Sequence, residues 1–283
     1  MKNTKKVISI LLFVVGLLCL IGAVVLFLRS AIEDKQAEDA LEAYRLNAQD
    51  AMNSLTEELS ASKETLGDSI SSEINSLVAN PYAESFQANE DMVGWLVIPG
   101  TNIDYPVMWT PLDESYYLYR DFNKKNNNNG SLILDTDSCL DPLTTNLIIH
   151  GHNMKSGAMF GTLTDYEDEA YYNDHKQIIF YTKDCQKTYE IIAVFRSQVY
   201  KKSDDVFKFY KFFQADSQEE FDDFYENIKE LSMYDTGVTA EYGDNFITLS
   251  TCVYHVKNGR FVVVAKEVET VERYLPMEIS NVF

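Results

Sequence analysis

Residues 7–28 form a stretch of 22 positions without a charge. A helix rises about 1.5 Å per residue, so this run reaches about 33 Å, enough for a hydrocarbon layer of about 30 Å. The pattern then turns polar, with one narrow apolar stripe. Leu41, Tyr44, Ala48, Met52, Leu55 and Leu59 recur at spacings of three and four, which predicts an amphipathic helix. A second stripe follows at Leu66, Ile70, Ile74 and Leu77, with Gly67 and several serines weakening the join. Asn80-Pro81 marks a stop, because the residue before proline avoids helix. A stripe this narrow suits packing on the chain's own following domain, partial exposure, or a seam between two copies.

From about Asp91 the apolar positions change period. The segments 94–98, 103–108, 131–134, 146–149, 177–182, 188–195, 245–249 and 260–265 are rich in Val, Ile, Phe and Tyr and read as strands. Pro99-Gly100, Asn129-Gly130 and Asn258-Gly259 supply turn signals between them. About eight short strands with such turns predict a mainly β domain built as a small closed or nearly closed barrel. One insertion interrupts the pattern. Ser217-x-x-Glu220 has the form of a capping box, and it opens a helix with Phe221, Phe224, Tyr225, Ile228 and Leu231 on one face.

Charge adds a topology. Lys2, Lys5 and Lys6 precede the apolar run, and acidic residues follow it. A lysine excess on one side places that side in the cytoplasm and the remainder outside. A cleaved signal peptide has a shorter apolar region, of about 7–15 residues, ending at a small-x-small site. The longer run here, with no good A-x-A site, predicts an uncleaved single-pass membrane anchor. All 44 acidic residues lie beyond residue 30, with 20 of the 24 basic ones, so the exposed part carries a net charge of −24. Such a surface repels nucleic acid and anionic lipid. The expected division is a cytoplasmic tail at 1–6, an anchor at 7–28, a helical stalk at 29–80, a catalytic domain at 81–270 and a C-terminal tail at 271–283.

Of the four cysteines, Cys19 lies in the apolar run, leaving Cys139, Cys185 and Cys252 outside. Three cannot all pair within one molecule, so at least one thiol stays free. A Cys139–Cys185 disulfide is possible by count alone. No Cys/His spacing suggests zinc, and no metal or organic cofactor is expected.

Three residues stand at strand ends with the chemistry of acyl transfer through a thioester. Cys252 closes an apolar strand, His152 follows another in the run Leu147-Ile148-Ile149-His150-Gly151-His152, and Arg260 opens the last. A thiolate attacks a carbonyl, an imidazole protonates the leaving amine, and a guanidinium can hold the developing negative oxygen. Taken singly each has a plainer reading: a buried inert thiol, a loop histidine, a solvated arginine.

The wording of these segments lifts all three together. VGWLVIPGTNIDYPVM (93–108), GSLILD (130–135), NLIIHGHNM (146–154), MFGTL (159–163), TLSTC (248–252) and GRFVVVAK (259–266) resemble the sortases, the cysteine transpeptidases of Gram-positive cell surfaces. TLSTC is similar to the sortase signature T-L-x-T-C. The aromatic insertion near 200–235 and the N-terminal helices look like class B. The resemblance implies an eight-stranded sortase-type β-barrel with N-terminal helices and a long helix-containing insertion before the cysteine strand. It implies catalysis by His152, Cys252 and Arg260, with Ser250, Thr251 and His150 near the peptide.

Two positions depart from relatives: His150 stands where class B often has tyrosine, and Val253 follows the cysteine in place of a polar residue. Strand alternation puts His150 and His152 on one face, which makes His150 the second candidate base. His255 and His175 read as turn residues. The implied partners are secreted proteins bearing a sorting-signal pentapeptide, a peptidoglycan amine or pilin lysine as acceptor, and membrane lipid at the anchor. The implied location is the cell membrane, with the catalytic domain extracytoplasmic. A hydrolytic cysteine peptidase with the same residues, and a non-enzymatic surface scaffold, are the alternatives.

Overall fold

A computed structural model describes residues 2–66 and 80–272. Helix α1 (Lys2–Leu66) is followed by the short α2 (Ala83–Ala88), α3 (Glu169–Asp174) and α4 (Gln218–Leu231). The strands are β1 (Met92–Val97), β2 (Asp104–Met108), β3 (Leu132–Leu134), β4 (Asn146–Gly151), β5 (Gln177–Tyr181), β6 (Cys185–Gln198), β7 (Phe246–Cys252) and β8 (Gly259–Glu272). All eight coincide with the segments that the period-two pattern marks.

The strands close into a barrel in the order β1-β2-β3-β4-β7-β8-β6-β5. Two neighbours, β2–β3 and β4–β7, run parallel, and the other pairs are antiparallel. A parallel pair cannot be joined by a tight turn. The chain therefore leaves β4, builds β5, β6 and α4, and returns to lay β7 beside β4. Closure removes free sheet edges and lets one face of every strand enter a shared core. Trp95, Val107, Ile149, Phe180, Leu249 and Val263 are among the side chains fully enclosed there.

A second apolar layer lies on the outside of the barrel. Phe221, Phe224 and Ile228 of α4 pack on Phe195, Phe246, Val262 and Val264. Phe224 stacks on Phe212 at 3.9 Å between ring centres. The predicted box caps this helix. Ser217 Oγ accepts from the Glu220 N–H at 3.3 Å, and Glu220 Oε2 accepts from the Asp216 N–H at 2.7 Å. One of the N–H groups left open at the helix start is thereby satisfied, and the residue before the cap is tied to the first turn.

The predicted anchor and the first stripe of the stalk are one unbroken helix. Apolar side chains such as Leu11, Phe13, Leu18 and Phe27 are exposed, with no protein surface against them among the described residues. Further along, Leu41 and Ala48 are buried in the barrel cluster and Tyr44 meets Phe122 edge-on at 5.3 Å. Arg45 donates from Nε to the Asp104 carbonyl at 2.9 Å and pairs with Glu38 at 2.5 Å. Of the uses open to the stripe, packing on the chain's own domain is therefore the one taken around residues 41–48. The side chains of Leu55, Leu59 and Leu66, and the rest of the second stripe at Ile70, Ile74 and Leu77, lie outside the described residues.

Candidate active site

The β4–β7 pair sets the frame of the site. His150 lies opposite Ser250 and Gly151 opposite Thr251, so His152 continues beside Cys252 at the strand ends. On the other side of β7, Cys252 and Arg260 are direct antiparallel partners. The odd residues Leu147, Ile149, Ile247, Leu249, Phe261 and Val263 enter the barrel core. Alternation then directs the even residues His150, Ser250, Cys252 and Arg260 to the outer face. The reach of one pleated sheet thus gathers side chains that are a hundred residues apart in the chain.

Gly151 has a packing reason. A Cβ at this position would meet Leu132 Cδ2 at 2.5 Å and Phe160 Cδ2 at 2.6 Å. Only glycine lets β4 run this close to the filled core, and the histidine that follows emerges at the rim. The turn from β7 to β8 has a conformational reason, since Asn258 sits at φ +58°. Asparagine tolerates this left-handed conformation better than most residues.

His152 is held from one side. Its Nε2 lies 2.8 Å from the Leu118 carbonyl. A carbonyl can only accept, so Nε2 carries the proton and Nδ1 is the nitrogen left for chemistry. Tyr119 places its ring 5.5 Å from the imidazole. Both residues belong to the single 3₁₀ turn Tyr116–Tyr119. Fully buried Tyr117 anchors that turn by donating to Asp91 Oδ2 at 2.8 Å and accepting from Asn89 Nδ2 at 2.9 Å. Hydrogen bonds from Lys124 and Tyr117 hold the Asp91 carboxyl below its ordinary range, against the opposing pull of desolvation.

Asn153, next to His152, donates from Nδ2 to the Cys252 carbonyl at 3.0 Å. Thr251 Oγ1 donates to the Gly151 carbonyl at 2.7 Å. These two bonds clamp the ends of β4 and β7 to each other. The Cys252 side chain is exposed and, among the described residues, makes no hydrogen bond to His152 or Arg260. Arg260 instead turns one guanidinium nitrogen to the Gly259 carbonyl at 3.1 Å.

The remaining sequence candidates separate. Ser250 and Thr251 are buried in β7. His150 turns toward β3, with Nε2 3.0 Å from Asp135 Oδ2. His255 is exposed in the β7–β8 turn, and His175 caps the end of α3 with Nδ1 3.0 Å from the Pro99 carbonyl. Cys139 and Cys185 are free thiols, so the disulfide that counting allowed is not formed. Leu118, Tyr119 and Asn153 are the site residues that sequence reasoning did not single out. The aromatic run Tyr116-Tyr117-Leu118-Tyr119 in an otherwise polar loop was the available signal.

An accessible thiol, an imidazole with one nitrogen uncommitted and a guanidinium across the strand make a nucleophile, an acid–base group and an oxyanion donor available on one rim. A closed barrel carrying that set defines a class of thiol acyl-transfer enzymes. The family model described as "Sortase domain" matches residues 96–268. Sortase B of Listeria monocytogenes is 32% identical over 201 residues, covering 70% of this chain and 78% of that protein. The structure of a Staphylococcus aureus sortase B–substrate complex superposes with a TM-score of 0.67 at 25% identity, covering 84% of this chain and 99% of that one. A structure of sortase B complexed with triglycine gives 0.67 at 26%, covering 83% and 99%. The chain belongs to the sortase family, and it is a cysteine transpeptidase of the sortase B type.

Proposed function

We propose that Cys252 is the nucleophile, His152 the acid–base group and Arg260 the donor that steadies the oxyanion. The observation that carries this assignment is the register of β7, with Arg260 opposite Cys252 on one side and the β4 end bearing His152 on the other. The Cys252 thiolate adds to the carbonyl of the scissile bond in a short sorting motif near the C-terminus of a secreted protein. The tetrahedral oxyanion collapses, the C–N bond breaks, and the leaving amine takes a proton from His152. A thioester remains on Cys252. An acceptor amine then adds to that thioester, gives its proton to the imidazole and releases the thiolate. The bound triglycine in the related sortase B complex supports an amine acceptor of this kind.

In this reading residues 7–28 anchor the chain in the membrane with the N-terminus cytoplasmic, residues 29–80 form the stalk, and residues 81–270 work outside the cell on wall-bound or pilin amines. The uncharged exposed face of α1 supports the anchor. His150 borders the peptide path on the outer face, and Ser250, buried beside it in β7, supports the strand from below. Thr251 acts on strand register, because its hydroxyl is spent on Gly151. Product analysis with a sorting peptide, with and without an oligoglycine amine, tests the proposal. An amide-linked product that depends on the amine is expected. Free carboxylic acid as sole product under both conditions would make the enzyme a hydrolase.

A further inference from the structure

Close to this rim, the structure brings together three side chains that the acyl-transfer steps do not use. Glu114 comes from the loop before the 3₁₀ turn, Asp135 follows β3, and His150 lies near the end of β4. One potential ligand atom from each lies within 4.8 Å of the others. His150 Nε2 and Asp135 Oδ2 are already 3.0 Å apart, with both side chains partly buried. Glu114 is exposed and free to swing. On a tetrahedral ion with bonds of about 2.0–2.2 Å, neighbouring ligand atoms stand about 3.4 Å apart. A small rotation of Glu114 is enough to reach that spacing.

We infer that Glu114, Asp135 and His150 bind a divalent transition-metal ion of the Zn²⁺ type, with a fourth position open toward the cleft. One imidazole with two carboxylates selects this class, since Ca²⁺ and Mg²⁺ take all-oxygen shells. A second observation points the same way. When His150 Nε2 ligates a metal, its proton moves to Nδ1, and a ligating histidine normally donates that N–H to an acceptor. Ser250 is the in-register neighbour of His150 on the same face. It is 1% exposed, and among the described residues its Oγ has no hydrogen-bond partner. A ligating His150 supplies the partner that this hydroxyl lacks.

The ion has a structural consequence at the catalytic rim. Glu114 lies four residues before Leu118, whose carbonyl fixes His152. Binding ties that loop to β3 and β4, so the ion steadies the turn that holds the imidazole. The role is positional, and none of the acyl-transfer steps passes through the metal.

The test uses the full chain in detergent with Cys252→Ala, which removes the active-site thiol as a ligand and makes the result independent of transpeptidation. Zn²⁺ is titrated calorimetrically, and Co²⁺ is titrated in parallel by absorbance. One ion per chain is expected, with weak visible Co²⁺ bands and no thiolate charge-transfer band. Asp135→Asn and His150→Ala should each abolish binding while the chain still unfolds cooperatively in chelator. Ser250→Ala should weaken it about 10- to 100-fold, the usual cost of losing a partner of a metal ligand. Absence of a stoichiometric ion overturns the proposal. So does binding that survives in the Asp135→Asn/His150→Ala double variant, or a thiolate band that assigns the ion to Cys139 or Cys185.

Discussion

Cys252 and Arg260 stand directly opposite each other where β7 turns into β8, eight residues apart in the chain and one hydrogen-bonding step apart in the sheet. The guanidinium rests on the Gly259 carbonyl, so a substrate oxyanion near Cys252 has a donor within a short swing. Arginine offers a planar fork of donors, and lysine offers a point charge. Arg260→Lys is expected to lower acylation by about 10²–10³-fold, the usual loss for one oxyanion donor. Single-turnover kinetics with one sorting peptide measures it, and near-normal turnover would reduce Arg260 to bulk charge.

The bond from His152 Nε2 to Leu118 fixes a tautomer. Nitrogen-15 shifts of the neutral imidazole should therefore report a proton on Nε2 and a bare Nδ1. His152→Ala is expected to abolish acylation. His150→Tyr should stay active, because His150 turns toward Asp135 and away from the thiol. An active His152→Ala beside an inactive His150→Tyr would transfer the acid–base role to His150.

Asn153 joins β4 to the backbone of Cys252. Asn153→Ala removes one side-chain hydrogen bond, worth about 0.5–1.5 kcal/mol of stability. With Cys252 as the proposed nucleophile, the larger effect should fall on kcat, since the carbonyl it holds belongs to Cys252 itself. Denaturant unfolding and steady-state kinetics on the same variant separate the two. Loss of stability with unchanged kcat would make Asn153 a clamp only.

Burial raises the Asp104 carboxyl above its ordinary range, with the Trp95 indole N–H at 2.5 Å and Arg45 opposing the rise. A raised acid binds its proton more tightly in the folded chain. Its stabilising contribution is therefore complete below the unfolded value, about 3.9, and is lost as pH rises through the folded value. Asp104→Asn keeps an acceptor for Trp95 and removes the titration. Unfolding free energy measured from pH 4 upward should fall more steeply in wild type than in Asp104→Asn, provided both are compared as differences from pH 4. Parallel curves would contradict the assignment.

The barrel was readable because each strand alternates between a filled interior and an outer surface, which writes period two into the chain. The cap of α4 was readable because Ser217 and Glu220 act across one turn. The strand-end positions of Cys252, His152 and Arg260 were readable because each ends, follows or opens an apolar run. The strand lengths were less so. β6 and β8 extend past 188–195 and 260–265, where they pair through polar contacts such as Lys187–Glu267 at 3.0 Å, which leave no apolar pattern. Leu118 acts through its backbone carbonyl, which no side-chain motif records. Glu114, Asp135 and His150 meet only through the order of β3 and β4 in the sheet, and their spacing of 21 and 15 residues resembles no ligand motif.

The proposed mechanism requires a covalent bond at Cys252, and intact-protein mass spectrometry after incubation with a sorting peptide detects it. The expected result is a single adduct with the mass of the acyl fragment, located on Cys252, discharged by hydroxylamine and absent in Cys252→Ala. Cys139→Ala and Cys185→Ala should form it at the wild-type level. Peptide cleavage that persists in Cys252→Ala, or an adduct on another cysteine, would contradict the mechanism.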